Sequence, residues 1–202
     1  AFLLYPFTLL YDLVTRLRNW FFDLGWLKST PSPIPSIVVG NLSVGGTGKT
    51  PMVEYLIRMM KKEKKLATLS RGYGRKRKGF LQASSQTSPD EIGDEPFQIY
   101  QKYGNEISVF VGEDRAKALN EIASMSDSPE VVILDDAFQH RYVKGDLKIL
   151  LTTFQRPFFS DFILPMGRLR ESRVGAKRAD VIIVSKCPEI LNAKVQGDYK
   201  SR

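Results

Sequence analysis

Residues 7–27 show a helical alternation of polar and apolar side chains. At about 100° per residue, the polar positions fall on one narrow stripe: Thr8, Asp12, Thr15, Arg16, Asn19 and Asp23. The opposite side is apolar and rich in aromatic rings: Leu10, Leu13, Val14, Leu17, Trp20, Phe21, Phe22, Leu24 and Trp26. The pattern predicts an amphipathic helix. Its apolar side either packs on the protein's own core or lies in a membrane interface, which the Trp and Phe content favours.

Beyond this helix and a proline-rich linker, short apolar runs alternate with helical patterns. The runs predict strands at residues 36–39, 66–70, 131–134, 147–151 and 181–184. Helical patterns begin at Pro51 and Pro96, because proline is favoured in the first turn of a helix. The mostly polar residues 79–93 are expected to form a mobile loop. The alternation predicts an α/β fold with a mostly parallel sheet flanked by helices.

A glycine-rich segment, GNLSVGGTGKT, joins the first of these strands to the next helix. This strand–loop–helix context is that of a Walker A phosphate-binding loop (P-loop). Backbone N–H groups of four residues would turn toward nucleotide phosphates: Gly45, Gly46, Thr47 and Gly48. Lys49 would reach the β- and γ-phosphates, and the Thr50 hydroxyl would bind Mg²⁺. Ser43 stands where the usual motif has its first glycine.

Two pairs of acidic residues lie where elements begin or end. Asp135 and Asp136 follow an apolar run and match a Walker B strand, whose carboxylate binds Mg²⁺ directly or through water. The alternative is a buried strand that simply ends in a turn. Asp94 and Glu95 precede Pro96 and are candidates for a helix cap. They are also candidates for a base that deprotonates an attacking hydroxyl, or for groups that help to hold Mg²⁺.

The formal charge of +8 at pH 7 indicates an anionic partner. Residues 71–78 hold five cations after a predicted strand, where open α/β sheets bind ligands. This basic loop either is solvated or contacts a substrate phosphate or anionic lipid. Tyr73 is its only aromatic residue, which is thin support for stacking on nucleic acid.

Three more side chains carry candidate chemistry. Arg168 and Arg170 either neutralise phosphate charge in a transition state or form surface ion pairs with Glu171 or Asp161. His140, the only histidine, is either a structural hydrogen-bonding group or a proton shuttle.

The remaining composition sets limits on the class of protein. No uncharged apolar run reaches the about 18 residues of a transmembrane helix. The lone Cys187 rules out an internal disulfide and fits a reducing compartment. The chain begins with Ala rather than Met and closes on a polar tail, so we expect neither end to be the natural gene end.

The motifs follow one another in a characteristic order over about residues 3–187. After the aromatic helix come PIPSIVVGNLSVGGTGKTP, LSRGYGR, GDEP, LDDAFQH, PxGxLRE and ADVIIVSK. Together they resemble the tetraacyldisaccharide 4′-kinases of lipid A biosynthesis, a family that also has the serine at position 43. The resemblance implies an enzyme bound peripherally to the cytoplasmic face of the bacterial inner membrane. It would transfer the γ-phosphate of ATP to the 4′-hydroxyl of tetraacyldisaccharide 1-phosphate and form lipid IVA.

The resemblance also implies roles for individual residues, and no nucleic-acid partner. The catalytic group would be Asp94, which activates the 4′-hydroxyl, with Lys49, Asp135 and Asp136. The residues linked to Mg²⁺ would be Thr50, Glu95 and Asp136. The residues that contact the substrate would be Arg71, Arg75 and Arg170.

The expected domain organisation follows the same resemblance. It comprises a membrane-associated helix at residues 1–30, a P-loop kinase core at 31–187, and the start of a truncated C-terminal lobe or a tail at 188–202. Family members continue well past this length and carry there a histidine that partners the catalytic carboxylate, a role that His140 does not fill. The rival functions are a MinD/ParA-like ATPase, which would have lysine in place of Val44, and a membrane-bound nucleotide sensor without transfer activity.

Overall fold

The chain folds around one central sheet. A computed structural model describes residues 2–190 and 192–200. Its strands are β1 (Thr30–Pro31), β2 (Ser36–Asn41), β3 (Leu66–Ser70), β4 (Leu81–Gln82), β5 (Ser108–Val111), β6 (Val131–Asp135), β7 (Val143–Lys144), β8 (Leu147–Thr153) and β9 (Val181–Ser185). Among the described residues, seven strands form the sheet in the order β4-β5-β3-β6-β2-β8-β9. All neighbours in it are parallel except β4, which runs antiparallel to β5.

Helices cover both faces of the sheet. The α-helices of the described residues are α1 (Tyr5–Asp23), α2 (Lys49–Met60), α3 (Pro89–Ile92), α4 (Asp94–Tyr103), α5 (Arg115–Ala123) and α6 (Ala193–Lys200). Helices α2 and α4 share one core with Val39 and Ile133, and α5 shares the other with Val38 and Leu134. Because both faces are covered, β2 is buried at every position. This explains why its sequence is a continuous apolar run instead of an alternating one.

The five predicted strands are all present, and the predicted α/β class is confirmed. Strand β5 and helix α5 were not predicted. Residues 79–93 do not form a plain loop, because they contain β4 and α3. A capping box of Ser88 and Glu91, in which each side chain bonds to the other's backbone N–H, begins α3.

Helix α4 begins two residues earlier than predicted. Its first residue is Asp94, and Gly93 occupies the N-cap position without a side-chain cap. The expected capping role of Asp94 or Glu95 is therefore wrong, because both residues lie inside the first turn. Their carboxylates are still favoured there by the positive end of the helix dipole.

Helix α1 turns its polar stripe toward the rest of the protein. Three residues of the stripe bond to the body: Thr8, Asn19 and Asp23. On the opposite side, Leu10 and Leu13 are 61 % and 62 % exposed. Of the residues of α1, all of which are described, Phe22 is the one buried side chain. The interpretation that the apolar side packs on the core is therefore wrong.

Across residues 2–190 and 192–200, none of the helices has the length and apolar character needed to span a membrane.

Candidate nucleotide and phosphoryl-transfer site

The P-loop lies between the end of β2 and the start of α2, as predicted. Gly45 and Gly48 have φ angles of 105° and 86°, which residues with a Cβ rarely adopt. Gly48 is the N-cap of α2, so Lys49 and Thr50 are the first residues of the helix. The unpaired N–H groups and the dipole of a helix start favour an anion. The loop therefore has the geometry of a phosphate cradle.

Thr47 is fixed from two sides by residues whose role was not predicted from the sequence. Asn41 Nδ2 donates to its hydroxyl at 2.7 Å, and Ser185 Oγ donates to its carbonyl oxygen at 2.7 Å. Ser185 is the last residue of β9. A Cβ on Gly46 would lie 3.9 Å from Lys186 Nζ, so an additional cation stands beside the loop. The ends of β2 and β9 thus shape the P-loop jointly.

Asp136 lies between two cations. Arg170 Nη1 donates to its two carboxylate oxygens at 3.0 and 3.1 Å, and Lys49 Nζ lies 3.5 Å from its Oδ1. The alternative of an ion pair between Arg170 and Glu171 is therefore wrong. Glu171 is 3 % exposed and pairs with Arg178 at 2.8 Å. The structure thus brings together three of the predicted site residues, although Arg170 was assigned to the substrate and not to a carboxylate.

Asp135 is a buried carboxylate at the end of β6, with 8 % exposure. Its Oδ1 is buried and has no hydrogen-bond partner among the described residues. Burial raises the pKa of Asp135 to about 7, and the nearby charges of Glu95 and Asp136 add to the effect. Glu95 of α4 is therefore within electrostatic range of β6. A bound cation would relieve both the unpaired oxygen and the like-charge repulsion.

The oxygen groups around the P-loop fit a magnesium ion that arrives with a nucleotide. No three or more His, Cys, Asp or Glu residues in the described parts of the chain form a complete metal site by themselves. Mg²⁺ rarely uses such a cage, because it is usually held by one or two carboxylates, waters and substrate phosphates. Asp136 lies 3.5 Å from Lys49, which precedes Thr50 at the start of α2. The assignment of Mg²⁺ to Thr50, Glu95 and Asp136 stays a prediction.

Asp94 is exposed at the first position of α4. Gly93 before it has a φ of 91°, and a Cβ there would lie 2.8 Å from the carbonyl oxygen of Tyr73. The loop after β3 therefore packs against the start of α4. This close approach brings the basic loop next to the predicted catalytic carboxylate.

The predicted substrate arginines have different surroundings. Arg71 is exposed. Arg75 is 2 % exposed at its side chain and donates to Glu113 at 2.6 Å, so it braces the basic loop in this structure. Its contact with the substrate stays a prediction. Arg115, which was not predicted, is buried at the start of α5, where burial and the charge of Arg71 lower its pKa.

His140 is partly buried beside Tyr142. Burial and the charge of Arg115 lower the pKa of His140 to about 4. Its Nε2 is buried without a hydrogen-bond partner among the residues described. The ring is therefore neutral near pH 7, which favours a structural role over proton transfer. Cys187 is a free, exposed thiol.

Comparison with known proteins identifies the family. The family model described as LpxK, tetraacyldisaccharide-1-P 4′-kinase, matches residues 1–200. This chain belongs to the tetraacyldisaccharide 4′-kinase family. A tetraacyldisaccharide 4′-kinase of Flavobacterium psychrophilum is 52 % identical over 197 residues, and one of Flavobacterium johnsoniae is 48 % identical over 198 residues. Both alignments cover 98 % of this chain but only 57 % and 58 % of the relatives, so the chain spans little more than half their length.

A solved structure agrees with this assignment. LpxK from Aquifex aeolicus, crystallised in complex with ATP, superimposes with a TM-score of 0.83 at 41 % sequence identity. The match covers 94 % of this chain and 61 % of that chain. The family and the P-loop α/β fold predicted from the sequence are thereby confirmed.

Proposed function

We propose that this chain carries the nucleotide-binding part of a tetraacyldisaccharide 4′-kinase. The enzyme transfers the γ-phosphate of ATP to the 4′-hydroxyl of tetraacyldisaccharide 1-phosphate and forms lipid IVA. The observation that carries the proposal is the position of the Asp136 carboxylate. It lies between Arg170 and Lys49, and Lys49 is the first residue of α2, the helix that follows the P-loop. The names of the relatives and the ATP complex of the solved relative support the same reaction.

The P-loop residues hold the phosphoryl donor. The N–H groups around Gly45 to Gly48 cradle the phosphates, and Lys49 contacts the β- and γ-phosphates. Thr50 and Asp136 would hold Mg²⁺, which when bound would neutralise charge on the phosphates. Arg170 contacts the transferred phosphoryl group, and its 3.0 Å hydrogen bond to Asp136, close to Lys49, supports this role.

Asp94 acts on the acceptor. Its exposed carboxylate accepts the proton of the 4′-hydroxyl as the oxygen attacks the γ-phosphorus and the bond to the bridging oxygen of ADP breaks. Arg71 and Arg75 of the basic loop supply positive charge for the 1-phosphate of the acceptor. The close packing of this loop on Gly93 supports the placement of both groups on one side of the site.

Phosphate transfer to the lipid tests the assignment. γ-Labelled ATP and Mg²⁺ are supplied with tetraacyldisaccharide 1-phosphate in mixed micelles, to this chain and in parallel to the full-length Flavobacterium psychrophilum relative. We expect Asp94→Asn to lower transfer by about a hundredfold or more while ATP affinity is retained. The matched control is Asp90→Asn, an exposed carboxylate on α3 that pairs with Lys76.

One outcome would contradict the kinase assignment, and another would contradict only the role of Asp94. Absence of transfer by both proteins, with ATP still bound, would leave a nucleotide sensor or a different acceptor. Full transfer by Asp94→Asn would remove Asp94 from the mechanism and leave the kinase assignment in place.

We also propose that α1 binds the cytoplasmic surface of the bacterial inner membrane. A tetraacylated substrate is costly to extract from a bilayer, so the enzyme must reach the head group at the interface. The exposed apolar side of α1, with Trp20 at 50 % exposure, is suited to this contact, as is Trp26 just after the helix at 70 % exposure. The net charge of +8 adds attraction to anionic lipid head groups.

Co-sedimentation with vesicles that contain phosphatidylglycerol tests the membrane contact. Leu13→Glu places a charge on the outward side of α1 and should lower vesicle binding about tenfold. Met59→Glu is the control, because Met59 is 54 % exposed on α2, away from the apolar side of α1. Equal binding by Leu13→Glu and the unmodified chain would remove α1 from the lipid contact.

A further inference from the structure

Glu171 is a buried carboxylate that joins three separate parts of the chain. Its Oε2 accepts from Asn19 Nδ2 of α1 at 2.9 Å. Its Oε1 accepts from Gln139 Nε2 at 3.1 Å and from Arg178 Nη2 at 2.8 Å. A Cβ on Gly175 would lie 2.8 Å from Oε2, so the carboxylate is also tightly enclosed. Such a charge is stable when buried only because its partners are in place.

From Glu171 a short chain of hydrogen bonds continues to the P-loop. The same Gln139 Nε2 donates to the carbonyl oxygen of Asn41 at 2.8 Å. Asn41 Nδ2 in turn donates to the hydroxyl of Thr47, in the middle of the P-loop. Four side chains thus connect α1 to the phosphate cradle.

The backbone next to Glu171 makes a second connection. Arg170 N donates to the carbonyl oxygen of Leu42 at 2.7 Å, at the entrance of the P-loop. The carbonyl oxygen of Arg170 accepts from Tyr11 Oη of α1 at 3.0 Å. The residues on either side of one peptide bond, Arg170 and Glu171, therefore both contact α1.

The attachment of α1 depends on these polar contacts. Because Phe22 is its one buried side chain, the helix gains little from apolar burial against the body. An element held by few apolar contacts opens locally more readily than a core element. A lipid surface that holds α1 in place would therefore also hold Glu171 and Gln139, and through Asn41 it would order the P-loop. An ordered P-loop binds a nucleotide at a lower entropic cost.

We infer that Glu171 is a positioning residue that couples α1 to the P-loop, so that binding to a lipid surface and binding of ATP strengthen each other. This inference rests on the proposed function, because it needs both a lipid contact at α1 and a nucleotide in the P-loop. By linkage, the two effects are reciprocal and equal in size.

The affinity for ATP–Mg²⁺ is measured by equilibrium dialysis with and without phosphatidylethanolamine–phosphatidylglycerol vesicles, and the affinity for vesicles with and without ATP–Mg²⁺. For the unmodified chain we expect each ligand to raise the affinity for the other about fivefold. For Glu171→Gln we expect the ratio to fall to about one, since coupling of this kind disappears with its connecting group. A merely structural role would change both affinities or the melting temperature and leave the ratio unchanged.

Two further variants keep the test decisive. Asn19→Ala removes the donor of α1 to Glu171, together with the weaker acceptor for Arg141 Nη1 at 3.4 Å. It should therefore also abolish the coupling, even if Glu171→Gln does not fold. Asp23→Asn breaks another contact of α1, the 2.6 Å ion pair with Arg141, and leaves every hydrogen bond of Glu171 in place, so it should leave the ratio unchanged.

The outcomes separate the inference from the proposed function. Independent binding of ATP and vesicles by the unmodified chain would overturn the coupling and leave the proposed function in place. Coupling that survives in Asn19→Ala, or that is lost equally in Asp23→Asn, would overturn the role of Glu171. Failure of the unmodified chain to bind ATP or vesicles would overturn the proposed function and the inference with it.

Discussion

Arg170 donates from a single guanidinium nitrogen to both carboxylate oxygens of Asp136, a residue 34 positions earlier in the chain. Two backbone hydrogen bonds hold the arginine there: Val44 N donates to the carbonyl oxygen of Arg168, and Arg170 N donates to that of Leu42. The backbone of the PxGxLRE motif is therefore hydrogen-bonded to the backbone of Leu42 and Val44, just before the glycines of the P-loop.

Replacing Arg170 should affect transfer more than binding. For Arg170→Met we expect phosphate transfer to fall about 10- to 100-fold, because a cation near the developing charge stabilises mainly the transition state. ATP affinity should change by about threefold or less, since the P-loop and Lys49 remain. The control is Arg173→Met, whose guanidinium bonds to the carbonyl oxygen of Asp161. Steady-state kinetics that show an unchanged kcat for Arg170→Met would contradict this role.

Asp135 should destabilise the nucleotide-free protein at neutral and alkaline pH. Its carboxyl keeps its proton in the folded state up to a pKa of about 7, whereas the ordinary value is 3.8. Between these values the folded state binds more protons than the unfolded state, so stability falls as pH rises. Asp135→Asn removes this loss. It should raise the free energy of unfolding at pH 8 by on the order of 1–4 kcal/mol, which corresponds to an increase in Tm of several degrees.

The same Asp135→Asn substitution should weaken the binding of ATP–Mg²⁺. Thermal melts at pH 4 and pH 8, with and without ATP–Mg²⁺, measure both effects. The stabilisation should be small at pH 4 and largest above pH 7. A variant that is less stable than the unmodified chain at pH 8 would show that the buried carboxylate is compensated by a partner.

His140 should make the protein sensitive to mild acid. Its pKa is lowered to about 4 in the fold and is 6.5 ordinarily, so the unfolded state binds more protons between these values. The contribution of His140 to stability should therefore fall as pH decreases from 6.5 to 4, opposite in sign to the contribution of Asp135. Because the chain has no other histidine, the free energy of urea unfolding should fall less, or rise more, between pH 7.5 and 5 in His140→Asn than in the unmodified chain. An unchanged slope in the variant would assign this dependence to carboxylates.

Lys186 should contribute to nucleotide affinity through its charge. Its ammonium lies beside Gly46 of the P-loop, where the β9 strand ends. Lys186→Met is expected to lower ATP affinity about tenfold at low salt and less at high salt, because exposed charges are screened. Lys194→Met, an exposed lysine on α6, is the control of equal charge change. Equal affinities of the two variants would show that Lys186 does not contact the nucleotide.

Local patterns in the sequence were sufficient for most of the fold. Strands β2 and β6 are buried on both faces, so their apolar runs were readily recognised. The P-loop was recognised because strand, glycines, Lys49 and the helix start are contiguous. Strand β5 was missed because its four residues, SVFV, form a run too short to be assigned by periodicity, although Gly104 and Asn105 before it are a turn signal.

Contacts between distant residues could not be predicted from local patterns. Periodicity separated the two sides of α1 but did not show which side faces the protein, because that depends on Glu171 and Arg141 far along the chain. The pairing of Arg170 with Asp136 was missed for the same reason. The capping role given to Asp94 was wrong because Gly93, with its positive φ, lets α4 begin earlier.

The orientation of α1 has a consequence for the protein outside its membrane. In plain buffer, the row of leucine and tryptophan side chains that would meet lipid is in contact with water instead. The hydrophobic effect then favours any arrangement that hides this row, including the association of two or more copies through the same helices. The protein should therefore be colloidally stable only with detergent or lipid, even though none of the described residues in its hydrophobic clusters belongs to the exposed side of α1.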